Sequence, residues 1–226
     1  MSFHELFRLN AADGLIVAMS LPSYESGVKM TCRERLMPKE CAYMETLEPR
    51  RQITFAGGRL ALRAALTALG GEVHTSLPNP RGAPNLPAGY RGSISHKDHV
   101  AIAWVTPDTG WYVGVDVEVA EPNRSRIASK VLTSDELLRV ESLPEAERWP
   151  RILRHFSLKE AIYKAIDPMV ERYVGFKEVA VLLGQGMDAK AELRLNSSES
   201  LEVHCGWREY EGFVLSTARA RATRPV

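Results

Sequence analysis

The chain of 226 residues has almost no net charge: 29 lysines and arginines stand against 28 acidic residues, formally +1. A protein that held nucleic acid or an anionic membrane through bulk charge would carry a marked basic excess, so neither is an expected partner. Cysteine is scarce. Cys32, Cys41 and Cys205 are odd in number and no two sit at metal-ligand spacing, which excludes a disulfide framework and a zinc ribbon and fits a reducing cytoplasm. Long hydrophobic runs are missing as well. The mildly apolar stretch from Leu15 to Leu21 is far shorter than the roughly 20 residues a bilayer requires and has no basic region before it, so no transmembrane helix or signal peptide is expected. Low-complexity tracts and repeats of solenoid period are absent. What is present, 45% hydrophobic and 25% charged residues, is the composition of a globular protein with one sizeable core or two small fused ones.

The spacing predicts a long helix over Arg50 to Leu69, where Ile53, Leu60 and Ala64 recur on one side and Gly70-Gly71 supplies the stop. Arg51, Arg59 and Arg63 fall on one stripe of it. Leu77 to Pro87 holds four prolines and reads as a loop. Ser93 to Lys97 and His99 to Val105 look strand-like, with a turn at Pro107 to Gly110. Tyr112 to Val119 is the clearest strand, its β-branched residues alternating with Gly114, Asp116 and Glu118. Thr133-Ser-Asp-Glu136 opens a helix with capping chemistry, and a second long helix is expected from Trp149 to Ala165, ending near Asp167-Pro168. Val179 to Leu183, Ala189 to Leu195, Leu201 to Trp207 and Phe213 to Ala218, separated by Gly184-Gln-Gly186 and Asn196-Ser-Ser198, form an antiparallel meander. A helix followed by strands occurs twice, which points to an α+β chain of two similar halves, 1–111 and 112–226.

Three constellations can carry chemistry. A period of two sets Asp116 and Glu118 on one face of their strand, where two carboxylates repel unless a cation lies between them. A hard cation such as Mg²⁺ suits oxygen ligands; an acidic solvent face on an edge strand is the alternative. In Phe156-Ser-Leu-Lys-Glu-Ala-Ile-Tyr-Lys-Ala165, Glu160, Tyr163 and Lys164 share a helical face and Lys159 adjoins Glu160. A glutamate there can ligate metal or act as base, and lysines can meet phosphate oxygens; a solvated ion-pair face is the other reading. In Gly92-Ser-Ile-Ser-His96, His96 with Arg51 and Arg59 can make an anion pocket, against a merely structural or exposed histidine. Ser95 lies in no G-x-S-x-G elbow, so a hydrolase nucleophile is not expected.

Taken in order, R-R-x-x-x-F-x-x-G-R-x-x-x-R, a G-x-P loop, G-S-I-S-H, G-V-D-V-E and F-S-x-K-E-A-x-Y-K-A resemble the 4′-phosphopantetheinyl transferases of the surfactin-synthetase type, in the branch with enterobactin-type and mycobacterial members. The resemblance covers about Arg50 to Val181. It implies an α+β fold of two similar halves in pseudo-twofold arrangement, each a helix packed on an antiparallel sheet. It also implies transfer of the phosphopantetheine arm of coenzyme A to a serine of an acyl or peptidyl carrier protein, releasing 3′,5′-adenosine diphosphate. Two rival readings stand beside it: a non-catalytic coenzyme A or carrier-binding module, and another Mg²⁺-dependent enzyme cleaving phosphodiesters or pyrophosphate.

By position, Asp116, Glu118 and Glu160 match the family's ligands for Mg²⁺, with Mn²⁺ as a substitute, around the coenzyme A pyrophosphate. Glu160 matches the base for the carrier serine, and Lys164 the lysine on the phosphate under attack. Lys159 is expected as another phosphate contact. Ser95, His96, Arg51 and Arg59 match contacts to the adenosine 3′-phosphate end, which puts coenzyme A's adenosine side on the N-terminal half and the metal on the C-terminal half. Where many relatives carry a lysine near the G-x-P loop, this chain has Gly82-Ala83-Pro84, with Arg81 as the nearest cation. Glu136 matches a position near the metal and pantetheine, though capping explains it equally well. Arg124, Arg126 and Lys130 either face an acidic carrier or form a solvated loop. A monomer is expected, since one chain holds both halves.

Overall fold

The computed structural model describes residues 3–11, 14–23, 35–184, 186–195 and 200–223. Cys32, Gln185 and the Asn196 to Ser198 turn lie outside the described residues. The chain divides into two compact units, Met1–Thr109 and Gly110–Val226. Among the described residues no helix is long and apolar enough to cross a membrane.

In the first unit, strands β1 (Glu5–Ala11), β2 (Gly14–Ser20), β3 (Tyr90–Lys97) and β4 (Val100–Pro107) form an antiparallel sheet in the order β1-β2-β4-β3. The apolar stretch beginning at Leu15 is thus β2. Both of its faces are buried, with Ile16, Val17, Ala18 and Met19 all under 5% exposed, which erases the polar alternation that marks a half-buried strand. Helix α2 (Pro49–Ala68) packs on the sheet, and α1 (Pro38–Glu45) packs against α2. Pro49 opens α2 where its missing N–H costs nothing, and Ile53, Leu60, Ala61 and Ala65 enter a core with Val17, Ala101 and Ala103.

The second unit begins with β5 (Tyr112–Val119) and continues through α3 (Ala128–Val131), α4 (Ser134–Glu141) and α5 (Glu145–Val170). Strands β6 (Val179–Leu183), β7 (Asp188–Leu193), β8 (Leu201–Tyr210) and β9 (Phe213–Ala222) follow as the expected meander, and β5 joins its far side to give the order β5-β9-β8-β7-β6. Helix α5 is longer than the spacing predicts. It starts at Glu145 and runs through Pro168 to Val170, where Glu171 turns left-handed at φ 48°. An internal proline costs about 3 kcal/mol. Burial of Ala161, Ile162, Ala165, Ile166 and Val170 against the sheet outweighs it, since each large apolar side chain contributes roughly 1.5–3 kcal/mol.

The two units share a plan. In each, a strand leads to the long helix and the last strand of the unit returns beside that first one: β2, α2, β3, β4 give β2-β4-β3, and β5, α5, β8, β9 give β5-β9-β8. Each also has a fully buried glutamate at the start of the short helix that precedes the long one. Glu40 accepts from Met37 N (2.9 Å), Ser76 N (2.8 Å) and the Arg63 guanidinium (2.7 Å). Glu136 accepts from Thr133 N (2.7 Å), Val181 N (2.6 Å) and Lys159 Nζ (2.6 Å). In both places one carboxylate caps its own helix, holds the segment after the long helix, and pairs with a cation from the long helix.

Candidate active site

The acidic strand motif is built on the approach of α5 to β5. A Cβ on Gly114 would stand 1.9 Å from the Ala161 carbonyl oxygen and 2.7 Å from Ala165 N, inside any permitted contact. Glycine on the strand and alanines one turn apart on the helix therefore let the two backbones meet. Side chains alternate along a strand, so Asp116 and Glu118 share the face of Gly114, the one that α5 covers. Although β5 is an edge strand, Asp116 is only 5% and Glu118 9% exposed, so the acidic solvent face is not what forms.

From α5, Lys164 Nζ donates to Asp116 Oδ1 at 2.9 Å and to the Val115 carbonyl at 2.9 Å. Glu160 lies one turn earlier, partly buried. Burial raises its pKa above the ordinary value, opposed by the Lys164 ammonium and reinforced by the carboxylates of Asp116 and Glu118. Lys164 thus pairs directly with Asp116, and Glu160 is near enough to Lys164, Asp116 and Glu118 to feel their charges, a surplus of negative charge in partly desolvated surroundings. Hard oxygen donors of this kind suit Mg²⁺. Among the described residues no three acidic, histidine or cysteine side chains converge as a ready-made ligand set, and Lys164 holds Asp116. The donor chemistry fits a divalent cation.

Lys159 corrects the expectation placed on it. It is 1% exposed, and its ammonium donates to the Val131 carbonyl (2.8 Å), Glu136 Oε2 (2.6 Å) and the Phe176 carbonyl (3.0 Å). Three donors are spent inside the protein, so none is left for a phosphate, and the residue is not part of a solvated ion-pair face either. Glu136 accordingly shows the capping role, with Thr133 completing the reciprocal pair through the Glu136 N–H, and it joins α4, α5 and β6. Burial works to raise the Glu136 pKa, but the bonds from Lys159, Val181 and Thr133 hold it below its ordinary value. Arg124, Arg126 and Lys130 are exposed around the start of α3.

In the first unit Ser95 and His96 are neighbours on β3 and therefore point to opposite faces of the sheet, Ser95 7% exposed and His96 exposed. Arg51 is exposed in the first turns of α2. Arg59, two turns on, is buried. Its Nε donates to the Ser76 carbonyl at 2.5 Å, its guanidinium lies 4.3 Å from the Phe55 ring centroid, and burial lowers its pKa to about 10 despite Glu40. Of the three residues expected to make an anion pocket, Arg51 and His96 are exposed and Arg59 is buried. Arg81 is exposed at the tip of the proline loop, where Asn79 Oδ1 accepts from the Arg81 and Ala83 N–H groups (2.9 and 3.0 Å) and Gly82 takes φ +88°. Glu40 was not singled out from the sequence. Its only signal is an acidic residue two positions after Pro38, in the first turn of a helix whose N-cap is methionine and lacks a capping hydroxyl.

Comparison with known proteins matches residues 39–106 to the 4′-phosphopantetheinyl transferase N-terminal domain and residues 112–218 to the 4′-phosphopantetheinyl transferase superfamily. With these two stretches covering both units, and the site motifs inside them, the chain belongs to the 4′-phosphopantetheinyl transferases, of the surfactin-synthetase type. Among its relatives are the 4′-phosphopantetheinyl transferases Svp of Streptomyces mobaraensis, 31% identical over 63% of this chain, and PptT of Mycobacterium tuberculosis, 29% identical over 64%. The matched region spans 59% and 64% of those two proteins' own lengths. A holo-(acyl-carrier-protein) synthase from Bacillus anthracis, solved in complex with coenzyme A (3′,5′-ADP), aligns over 49% of this chain and 96% of its own at 18% identity and a TM-score of 0.40.

Proposed function

We propose that this protein transfers the phosphopantetheine arm of coenzyme A to a serine of an apo acyl or peptidyl carrier protein. The observation that carries the reading is the meeting of Asp116, Glu118, Glu160 and Lys164 across β5 and α5, within the stretch matched to the superfamily. The serine oxygen attacks the phosphorus that bears the pantetheine. A new P–O bond forms, the pyrophosphate P–O bond breaks, and 3′,5′-adenosine diphosphate leaves with the electron pair. Glu160 takes the serine proton, directly or through a water. A serine hydroxyl is a poor nucleophile without a base at its side, and Glu160 supplies a carboxylate for it. Lys164 offsets charge on the phosphate under attack.

Asp116, Glu118 and Glu160 would hold Mg²⁺, which would neutralise pyrophosphate charge that a carboxylate site otherwise repels. The first unit takes the adenosine and 3′-phosphate end, with the exposed His96, Arg51 and Arg81 as its side-chain contacts; Ser95 and Arg59, both buried, serve there as supports. The carrier is acidic, and Arg124, Arg126 and Lys130 offer it exposed cations. A single chain carries every residue named, which favours a monomer.

The test is intact-mass analysis of apo acyl and apo peptidyl carriers incubated with the protein, coenzyme A and Mg²⁺. A gain of one phosphopantetheine arm, abolished by chelator, is expected. No gain on any carrier, with coenzyme A still bound, replaces the reading with a binding module; release of phosphopantetheine to water replaces it with pyrophosphate cleavage.

A further inference from the structure

The sheet of the second unit carries an unusual row of polar groups. Asp116 on β5 lies directly opposite Ser216 on β9, and Ser216 directly opposite Trp207 on β8. Opposed residues share a face, with Cβ atoms about 4.5–5.5 Å apart, so all three side chains lie under α5. Above them, Ser157 lies one turn before Ala161 on the sheet-facing stripe of α5. Its level follows from two anchors: Trp149 donates its indole N–H to the Ala120 carbonyl, and Ala161 and Ala165 straddle Gly114. The helix between those anchors and the strand between Ala120 and Gly114 are both about 20 Å long, so Ser157, near the middle, falls at the Asp116 row. Arg154, a turn earlier, stacks 4.2 Å from the Trp207 ring centroid.

Ser157 and Ser216 are 0% exposed. Ser157 Oγ, Ser216 Oγ, Trp207 Nε1 and Arg154 Nε are buried and have no hydrogen-bond partner among the described residues. One such group in a helix-sheet interface is a defect; four in one row are complementary. Two N–H donors and two hydroxyls that both accept and donate are the complement that an ordered water needs. Left dry, each would keep its desolvation penalty with nothing to offset it.

We propose that Ser157, Ser216, Trp207 and Arg154 hold one or two ordered waters between α5 and the sheet, and that Ser216, oriented by this water, is a positioning residue for Asp116. The water accepts from the indole and guanidinium N–H groups and donates to the serine oxygens. Ser216, which makes no bond to Asp116 in this structure, is then left with its own proton, and a turn of its side chain can direct it at the neighbouring carboxylate. The row thus lies beside the candidate metal ligand in the sheet, and this part rests on the metal role proposed above.

Two measurements test it on the full chain. Ser157→Ala and Ser216→Ala are each expected to lower the melting temperature by about 2–4 °C, as loss of a satisfied buried hydroxyl worth ~1 kcal/mol does in a protein of this size. A dry row predicts the reverse, because alanine removes an unsatisfied hydroxyl; an unchanged or raised melting temperature in both variants overturns the proposal. Calorimetric titration with Mn²⁺ then reads the positioning role. Ser216→Ala is expected to weaken Mn²⁺ binding on the order of tenfold, and Ser216→Thr, which keeps the hydroxyl, to restore it. Lowered melting with unaltered Mn²⁺ affinity overturns the positioning role. If the wild type takes up no Mn²⁺, the metal reading fails, and the melting comparison alone decides the hydrated row.

Discussion

Lys159→Met separates a structural lysine from a phosphate-binding one. The substitution keeps the volume and removes the ammonium that bonds Glu136, the Val131 carbonyl and the Phe176 carbonyl. Two carbonyls lose their donor and the Glu136 carboxylate keeps only its two backbone N–H bonds, from Thr133 and Val181, with its charge unbalanced at 2% exposure. Breaking a buried pair in this way costs about 3–5 kcal/mol. Domain stabilities are about 5–15 kcal/mol, so the denaturant midpoint of the second unit should fall by a large fraction, and its melting temperature by roughly 6–20 °C. Chemical unfolding followed by circular dichroism measures this. The double variant Lys159→Met/Glu136→Gln should be less destabilised than the two single changes added together, because each removes the charge that the other strands. Below its melting temperature, Lys159→Met should keep a near-wild-type Michaelis constant for coenzyme A. A loss of under about 1 kcal/mol, the scale of a surface pair, together with a large rise in that constant, would refute the buried-pair assignment and return Lys159 to the phosphate.

Gly114→Ala places a methyl group against the backbone of Ala161 and Ala165, where no side chain can move aside; at least the 1–3 kcal/mol typical of overpacking should be lost, and transfer with it as Lys164 withdraws from Asp116, so wild-type melting and activity would contradict the close approach. Glu160→Gln should fold normally yet lose carrier modification by orders of magnitude; full activity removes Glu160 as base. His96→Ala should raise the Michaelis constant for coenzyme A more than for its 3′-dephosphorylated analogue, and equal effects would detach His96 from the 3′-phosphate. Acid should destabilise the second unit in two steps. His155, buried and donating from Nδ1 to the Arg151 carbonyl, has its pKa lowered from 6.5, chiefly by burial and with Lys159 and Arg151 adding to it against Glu136. The unfolded chain therefore takes a proton first, and stability falls as pH drops below 6.5. Glu136, held below 4.5, adds a second loss under that value. A His155→Leu variant should lack the first step, and an unchanged profile in it would assign that step elsewhere.

The local sequence was sufficient for elements whose own residues carry the pattern. Tyr112 to Val119 alternates because β5 must present carboxylates to one side and valines to the other, and both long helices show their apolar stripes. Strand β2 hid because burial on both sides removes alternation, and β1 has too few buried positions to show one. Pro168 looked like a stop because the penalty is local while the compensating burial comes from strands tens of residues later.

For the site, the ordered motifs that carry the family resemblance drew attention to Asp116, Glu118, Glu160 and Lys164, and the contact of Lys164 with Asp116 across α5 and β5 supports the role proposed for them. What each charged group does was decided by tertiary partners. Lys159 and Lys164 are equivalent cations in the motif, yet one turns inward to Glu136 and the other reaches Asp116 across to β5. Arg59 and Arg51 lie on one stripe, yet only Arg59 is folded under. Ser216 carries no sequence signal and Glu40 only its place after Pro38, since most of the groups they face are contributed by segments remote in the chain. Sequence determines the chemistry available; desolvation and distance, set only when the chain closes, determine which groups are left to use it.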